Sequence, residues 1–267
     1  MNLFPAASVS ARHRKMAFTM IEIAIALAVI AFALVAIIGV LPTGMNVQKD
    51  NREDTIINQD GPYWMEAIRA GNRGLDYLTN YVESITLSNS LGKTIYTNSS
   101  GAVSPPLDNS MTNGARIISL LSTPKYTPGV NPGDIVTNYL TARVRALSGA
   151  ALEQGTNNPD FAFAYQLSSE ITPFQQVPVS VISTNFNEPG LTNQNEIDKR
   201  KALWAEVNTR AINTTEVRLV FRWPLLPPDR TGPNRQIFRS IISGVQGADT
   251  NGVFFEPQFF ITALPPP

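Results

Sequence analysis

"RHRKMAFTMIEIAIALAVIAFALVAIIGVLP", from Arg12 to Pro42, sets the architecture of this 267-residue chain. Three basic residues come first, then one carboxylate, Glu22, then 19 residues from Ile23 to Leu41 without a charged or polar side chain. As a helix that run spans about 28 Å at 1.5 Å per residue, close to the roughly 30 Å hydrocarbon core of a bilayer. Apolar residues occupy every face, which excludes an amphipathic surface helix. The competing reading, a buried helix of a soluble core, fits poorly with a position so near the N-terminus. A secretory signal would carry roughly 7–15 apolar residues and then a small-residue cleavage site. This run is longer, and "PTGMNVQKDNRED" follows it without such a site. The expectation is a membrane span, with Arg12, Arg14 and Lys15 held in the cytoplasm and the body exported.

Composition narrows the function classes. Charged residues make up 16% of the chain and Lys plus Arg balance Asp plus Glu, 21 against 21. Without residues 1–17, which hold three bases and no acid, the balance becomes 18 against 21, a net charge of −3. Neither value favours a phosphate backbone, so no nucleic acid partner is predicted. There is no cysteine, and the one histidine is His13, in the basic leader. Thiolate metal sites, a Cys nucleophile and disulfides are excluded. A chain that lost the leader would also lack the His of most triads and zinc sites.

Glu22 is what a plain anchor leaves unexplained. A carboxylate at the mouth of a span is tolerable mainly when paired. A cut just before Phe18 would place a new α-amino group about one helical turn away, and in an assembly that amine could pair with the Glu22 of a neighbour. One acid in the first turn also complements the helix dipole.

"KMAFTMIEIAIALAVIAFALVAIIG" resembles the N-terminal processing and methylation signal of type IV prepilins and type II secretion pseudopilins. The resemblance implies a basic leader ending at Ala17, cleavage before Phe18 by a prepilin peptidase, and N-methylation of Phe18 by the same enzyme. It further implies that Glu22 is the assembly carboxylate and that Pro42 bends the long helix. Ala17 stands where the family more often has Gly, and Met16 separates the basic run from the cut. The likeness covers about 30 residues of the 267, specific for the class and nearly silent about the member. Implied partners are the peptidase and N-methyltransferase, other pilin or pseudopilin subunits, an inner-membrane assembly platform and the lipid bilayer. Implied localisation is the inner membrane, N-terminus cytoplasmic, then a filament. Pilin-like proteins of the verrucomicrobial cassette type share the general layout.

The expected organisation is a leader at 1–17, a transmembrane and assembly helix at 18–41, a stalk and break at 42–61 and an exported head at 62–267. "DGP" (Asp60–Pro62) reads as the break, since Gly and Pro end helices. Trp64, Ile68, Gly71, Leu75, Leu78, Val82 and Ile85 recur at alternating spacings of four and three, which predicts one amphipathic helix. The stretch from about Ser88 to Ala115 is rich in Asn, Ser, Gly and Pro and reads as a long surface loop or irregular hairpin. Strands are expected at 116–122, 138–147, 161–167, 177–183, 215–223, 235–243 and 253–264, with Pro257 marking an edge or bulge. The fifth of these alternates cleanly: Val217, Leu219, Phe221 and Trp223 on one face, Arg218 and Arg222 on the other. A short helix is expected around 201–207. Helix first and strands after give an α+β fold with a mainly antiparallel sheet.

Candidate sites are few. No phosphate-loop, dinucleotide, nucleophile-elbow or zinc-protease pattern occurs. Asp50, Glu53 and Asp54 are spaced for one helix face, a conceivable cation site but better read as a solvated stalk. Asp249 and Asn251 in "GADTNG" offer oxygen ligands but lack the ligand count of a calcium loop, so a hairpin turn is the better reading. Tyr63 and Trp64 could be exposed and adhesive, yet their place in the period fits buried packing. No carboxylate pair is singled out for hydrolysis. No catalytic residue, metal or cofactor is expected. The first reading is a structural subunit of a pilus or secretion pseudopilus, minor or tip rather than bulk. The alternative is an uncleaved, single-span exported binding protein or hydrolase.

Overall fold

The computed structural model describes residues 18–71, 74–97, 110–111, 113–129, 131, 134–148, 163–174, 192–226, 230–250 and 252–262. The chain divides into two compact units, Met1–Arg52 and Glu53–Pro267. The fold is α+β: a long N-terminal helix, then a part built of helices and a mainly antiparallel sheet.

Helix α1 runs from Met20 to Arg69, 50 residues without interruption. Every residue from 18 to 52 is exposed. From Glu53 on, the buried residues are Glu53, Ile56, Ile57, Asp60, Gly61, Trp64, Ala67 and Ile68. Those spacings of three and four define a single helix face.

The predicted break at Asp60–Pro62 does not occur. Pro62 removes a helix hydrogen bond, a change that costs about 3 kcal/mol in a helix interior. It sits on the exposed side, however, while its neighbours Asp60 and Gly61 are buried against the sheet. A Cβ on Gly61 would run into the Phe238 ring, so the helix approaches the sheet closely there. Pro42 is likewise carried within the helix.

The predicted helix from Trp64 to Ile85 is also corrected. It ends at Arg69, where Gly71 takes φ +56° and its N–H bonds the Ile68 carbonyl at 3.1 Å. A Cβ at Gly71 would strike the Phe255 carbonyl as well. Leu78 lies in a 3₁₀ turn, Asp76–Asn80, and Val82 and Ile85 lie in strand β1, Val82–Asn89. The register shifts between Val82 and Ser84. That bulge turns Val82 and Ile85 to the same face, so a strand produced the spacing of three that mimics a helix.

β1 pairs with β2 (Gly92–Thr97) in a hairpin closed at Asn89 and Gly92. Part of the predicted loop is therefore sheet, and residues 98–109 lie outside the described part. Next comes α2, Gly114–Leu121, where a strand at 116–122 was expected. Asn113 caps it by accepting from the Arg116 N–H at 2.7 Å, and the Gly114 N–H donates to Asp76 Oδ1 at 3.0 Å. Ile117, Ile118, Leu120 and Leu121 are all buried, so no alternation or stripe separates helix from strand.

The remaining strands are β3 (Tyr126–Pro128), β4 (Ile135–Thr137), β5 (Tyr139–Arg145), β6 (Ala164–Pro173), β7 (Thr214–Leu226), β8 (Arg230–Ser243), β9 (Val245–Asp249) and β10 (Gly252–Glu256). The main sheet has the order β2-β1-β5-β6-β7-β8, antiparallel throughout, and β3–β4 and β9–β10 form two small hairpins. The expected strands at 138–147, 215–223 and 235–243 are present. The one expected at 161–167 is β6, shifted toward its C-terminus, and that at 253–264 stops at Glu256, just before Pro257. The run 177–183 lies outside the described residues.

Helix α3 spans Gln194–Asn213, well beyond the expected 201–207, and none of its residues is buried. Charged pairs at i,i+4, Glu196–Arg200 and Glu206–Arg210, support it on the surface.

One core lies between the inner sheet face and the helices. Trp64, Ile57 and Ile68 from α1 and Ile117, Ile118 and Leu121 from α2 meet Val144, Tyr165, Leu167, Leu219 and Phe221 from the sheet, with Phe254 and Phe255 of β10 joining them.

Candidate functional site

The N-terminal end of α1 holds most of the residues singled out from the sequence. Ala17 lies outside the described residues. Phe18 is 82% exposed and precedes the helix, and Thr19 occupies the N-cap. The Glu22 carboxylate Oε2 accepts from the Thr19 N–H at 2.9 Å and from the Thr19 hydroxyl at 2.9 Å. In return, the Glu22 N–H donates to Thr19 Oγ1 at 3.3 Å. This is a capping box, with Thr19 at the cap and Glu22 at the third helical position. The T-x-x-E spacing that announces it is present in the sequence, but the cap was not read there. It gives Glu22 a local partner. Both bonds fall on Oε2, and among the described residues only Thr19 bonds the carboxylate.

Beyond the cap the helix presents apolar side chains on all sides: Ile23, Leu27, Ile30, Phe32, Val35 and Ile38 are exposed. Burying an Ile, Leu, Val or Phe side chain contributes about 1.5–3 kcal/mol. For the twelve such residues between Ile23 and Leu41 the sum is on the order of 20–35 kcal/mol. A surface of that size does not remain in water. α1 is long and apolar enough to cross a membrane, and a single-pass anchor accounts for it.

The acid face of the stalk divides. Asp50 and Asp54 are exposed as expected for solvated residues, but Glu53 is buried, 6% exposed, and lies on the face that continues through Ile56 and Asp60. Among the described residues no group of three or more His, Cys, Asp or Glu side chains is arranged to hold a metal. Asp249 stands opposite Gly252 at the closed end of the β9–β10 hairpin, the predicted turn, and Asn251 lies outside the described residues.

Trp64 is fully buried and Tyr63 half-buried, in a T-shaped pair at 5.9 Å. Burial is the role the sequence favours for both, and for Trp64 it is complete.

Sequence reasoning missed Asp60. It is 1% exposed, and its Oδ2 accepts from the Leu147 N–H at 2.9 Å and the Tyr165 hydroxyl at 2.9 Å. The Tyr165 oxygen accepts in turn from the Trp64 indole N–H at 2.9 Å. A chain of bonds, Trp64 to Tyr165 to Asp60, thus ties α1 to β6 and to the end of β5. Burial first, and then the nearby Asp60 charge, push the Tyr165 hydroxyl well above the ordinary tyrosine range. The Tyr63 hydroxyl is also pushed up, chiefly by burial and then by its hydrogen bond with the Tyr77 hydroxyl. An acid one turn before Trp64 on a face of Ile residues was the signal available in the sequence.

The described residues include neither His nor Cys. Comparison of the chain with family models, curated proteins and solved structures finds no match.

Proposed function

We propose that the chain is a structural subunit of a type IV pilus-like or type II secretion pseudopilus filament. In this reading a prepilin peptidase removes residues 1–17, Phe18 becomes the N-methylated first residue, and the apolar half of α1 assembles with those of other subunits. The head is exported and the N-terminus starts in the cytoplasm. The observation that carries the reading is the order of features: a basic cluster, Ala17-Phe18, Glu22, then 19 uncharged apolar residues. An apolar helix surface exposed on every side is consistent with packing among like helices as well as with lipid. About 250 residues remain after the cut, a large head for a bulk pilin, which favours a minor or tip subunit.

The capping box supports a second reading. Thr19 gives Glu22 a purely local use, so an uncleaved, single-span exported binding protein or hydrolase also accommodates it. Glu22→Gln separates the two, because glutamine serves at the same position of a capping box without the charge. In cells with an active assembly system, Glu22→Gln and Glu22→Ala should both insert into the membrane and fail to enter filaments. Incorporation of Glu22→Gln at the wild-type level would remove the charge-pairing argument.

A further inference from the structure

Strand β8, Arg230–Ser243, closes the main sheet on one side, and its 14 residues extend roughly 46 Å at about 3.3 Å each. Among the described residues its backbone bonds to β7 alone. The opposite edge differs: β2 has 6 residues, and Thr97 at its end bridges Ser110. Native proteins keep sheet edges short, bulged or covered, because a row of free N–H and C=O groups templates another strand. β8 is long, and its register with β7 is unbroken from Ser243 back to Asn234. Pro233 interrupts the row of N–H groups only toward the start of the strand. From Asn234 to Ser243, therefore, alternate residues turn their backbone groups away from β7.

The side chains restrict what such an edge accepts. Arg235, Ile237, Arg239 and Ile241 share the outer face, alternating with Phe238, which packs on the core, and Ile242, which is part of it. Ile237 and Ile241 are 40% and 51% exposed. β8 holds three arginines and no acid. Arg239 meets Glu216 of β7. Arg235 instead faces Arg222 across the ladder, and among the described residues neither guanidinium has an ion pair or a hydrogen bond. Like charges directly opposite one another destabilise a ladder. A second β8 would bring more arginine to the same edge, so the charge disfavours pairing between copies there. An acidic strand offsets the repulsion. We propose that β8 is a docking edge for an extended acidic segment of a partner protein. The segment adds to the six-stranded sheet with a carboxylate beside Arg235 and an apolar side chain beside Ile237. Main-chain bonds supply the attachment, and the alternation of Arg and Ile supplies the selectivity. The inference concerns the head and is independent of how the N-terminal helix is used.

The test is calorimetric titration of the full chain, in an uncharged detergent, with the end-capped peptide Glu-Thr-Val-Thr-Glu-Thr-Val. It should bind saturably, one peptide per chain, and the same peptide with Lys in place of Glu should bind at least about fivefold more weakly. Arg235→Glu, a change at an exposed residue, should reverse that preference. Two further peptides carry N-methyl groups at alternate residues, one set on each edge of the strand. The form whose methyl groups face β8 should lose binding, and the other should keep it, because only one edge of an added strand bonds the sheet. No saturable binding of the acidic peptide would overturn the inference and leave an edge merely guarded by its charges. Equal binding of the Lys peptide, an unchanged preference in Arg235→Glu, or the same behaviour in both methylated forms would overturn it too.

Discussion

Replacing Asp60 by alanine tests the claim that a buried acid in the middle of α1 fastens that helix to the sheet. The substitution removes two hydrogen bonds to a charged acceptor, each at 2.9 Å, and such bonds contribute about 1.5–3 kcal/mol apiece. It also strands the half-buried Leu147 N–H and the fully buried Tyr165 hydroxyl, the latter an orphan costing about 1–3 kcal/mol where water cannot reach. These two descriptions count the same loss, so they are not summed. Removing a desolvated carboxylate with one unpartnered oxygen offsets part of it. The net expectation is a destabilisation of about 3 kcal/mol for Asp60→Ala and about 1 kcal/mol for Asp60→Asn, which keeps an acceptor in place. The assay is urea unfolding of the full chain in uncharged detergent, followed by tryptophan fluorescence, with midpoints compared at a common slope. Tyr165→Phe shares one of the bonds, so the double variant should show a coupling of at least about 1 kcal/mol. An alanine variant within about 0.5 kcal/mol of wild type, or strictly additive single changes, would refute the fastening role.

Further expectations follow from the same packing. Tyr165 titrates above its ordinary value in the folded chain, so the native state holds a proton that the unfolded chain releases near pH 10. Its contribution is present in full below pH 10 and should be lost as pH rises from there toward the folded value. Unfolding midpoints measured from pH 8 to 11 should fall in the upper part of that window, and the fall should be shallower in Tyr165→Phe. On β7, Phe221 is fully buried, and Phe221→Ala should cost about 3–5 kcal/mol. Ile237 on the neighbouring strand points outward and is 40% exposed, so Ile237→Ala should stay within about 1 kcal/mol. The two variants compared by the same denaturation assay check which face of the sheet carries the core.

The sequence is legible where one physical effect dominates. Nineteen uncharged residues admit little besides a span, and β7 alternates so regularly that its core face could be named residue by residue. It misleads where two effects share a spacing. Val82 and Ile85 recur at three because a bulge realigns them, and nothing in their identity distinguishes that from a helical turn. In RIISLLS (116–122) every residue after Arg116 is buried, so its helix shows too little of a polar face to give a period; the informative residue is Asn113, one position before Gly114. Asp60–Pro62 reads as a break by local propensity, and tertiary bonds from Leu147 and Tyr165 override it. The T-x-x-E spacing of Thr19 and Glu22 announces the capping box, but the same acid also fits a charge-pairing role in assembly, and the two share one residue. Glu53 reads as solvent-facing because acids usually are, and Asp60 reads only as part of a break. Only the packed helix shows them turned inward.

The central claim, that this chain is processed for assembly, is met most directly by the intact mass and N-terminal peptide of the protein isolated from its native membrane. The account predicts a chain that begins at Phe18 with a methylated α-amino group. A chain that begins at Met1, in cells whose prepilin peptidase is active on other substrates, would contradict it and leave a plain anchored head.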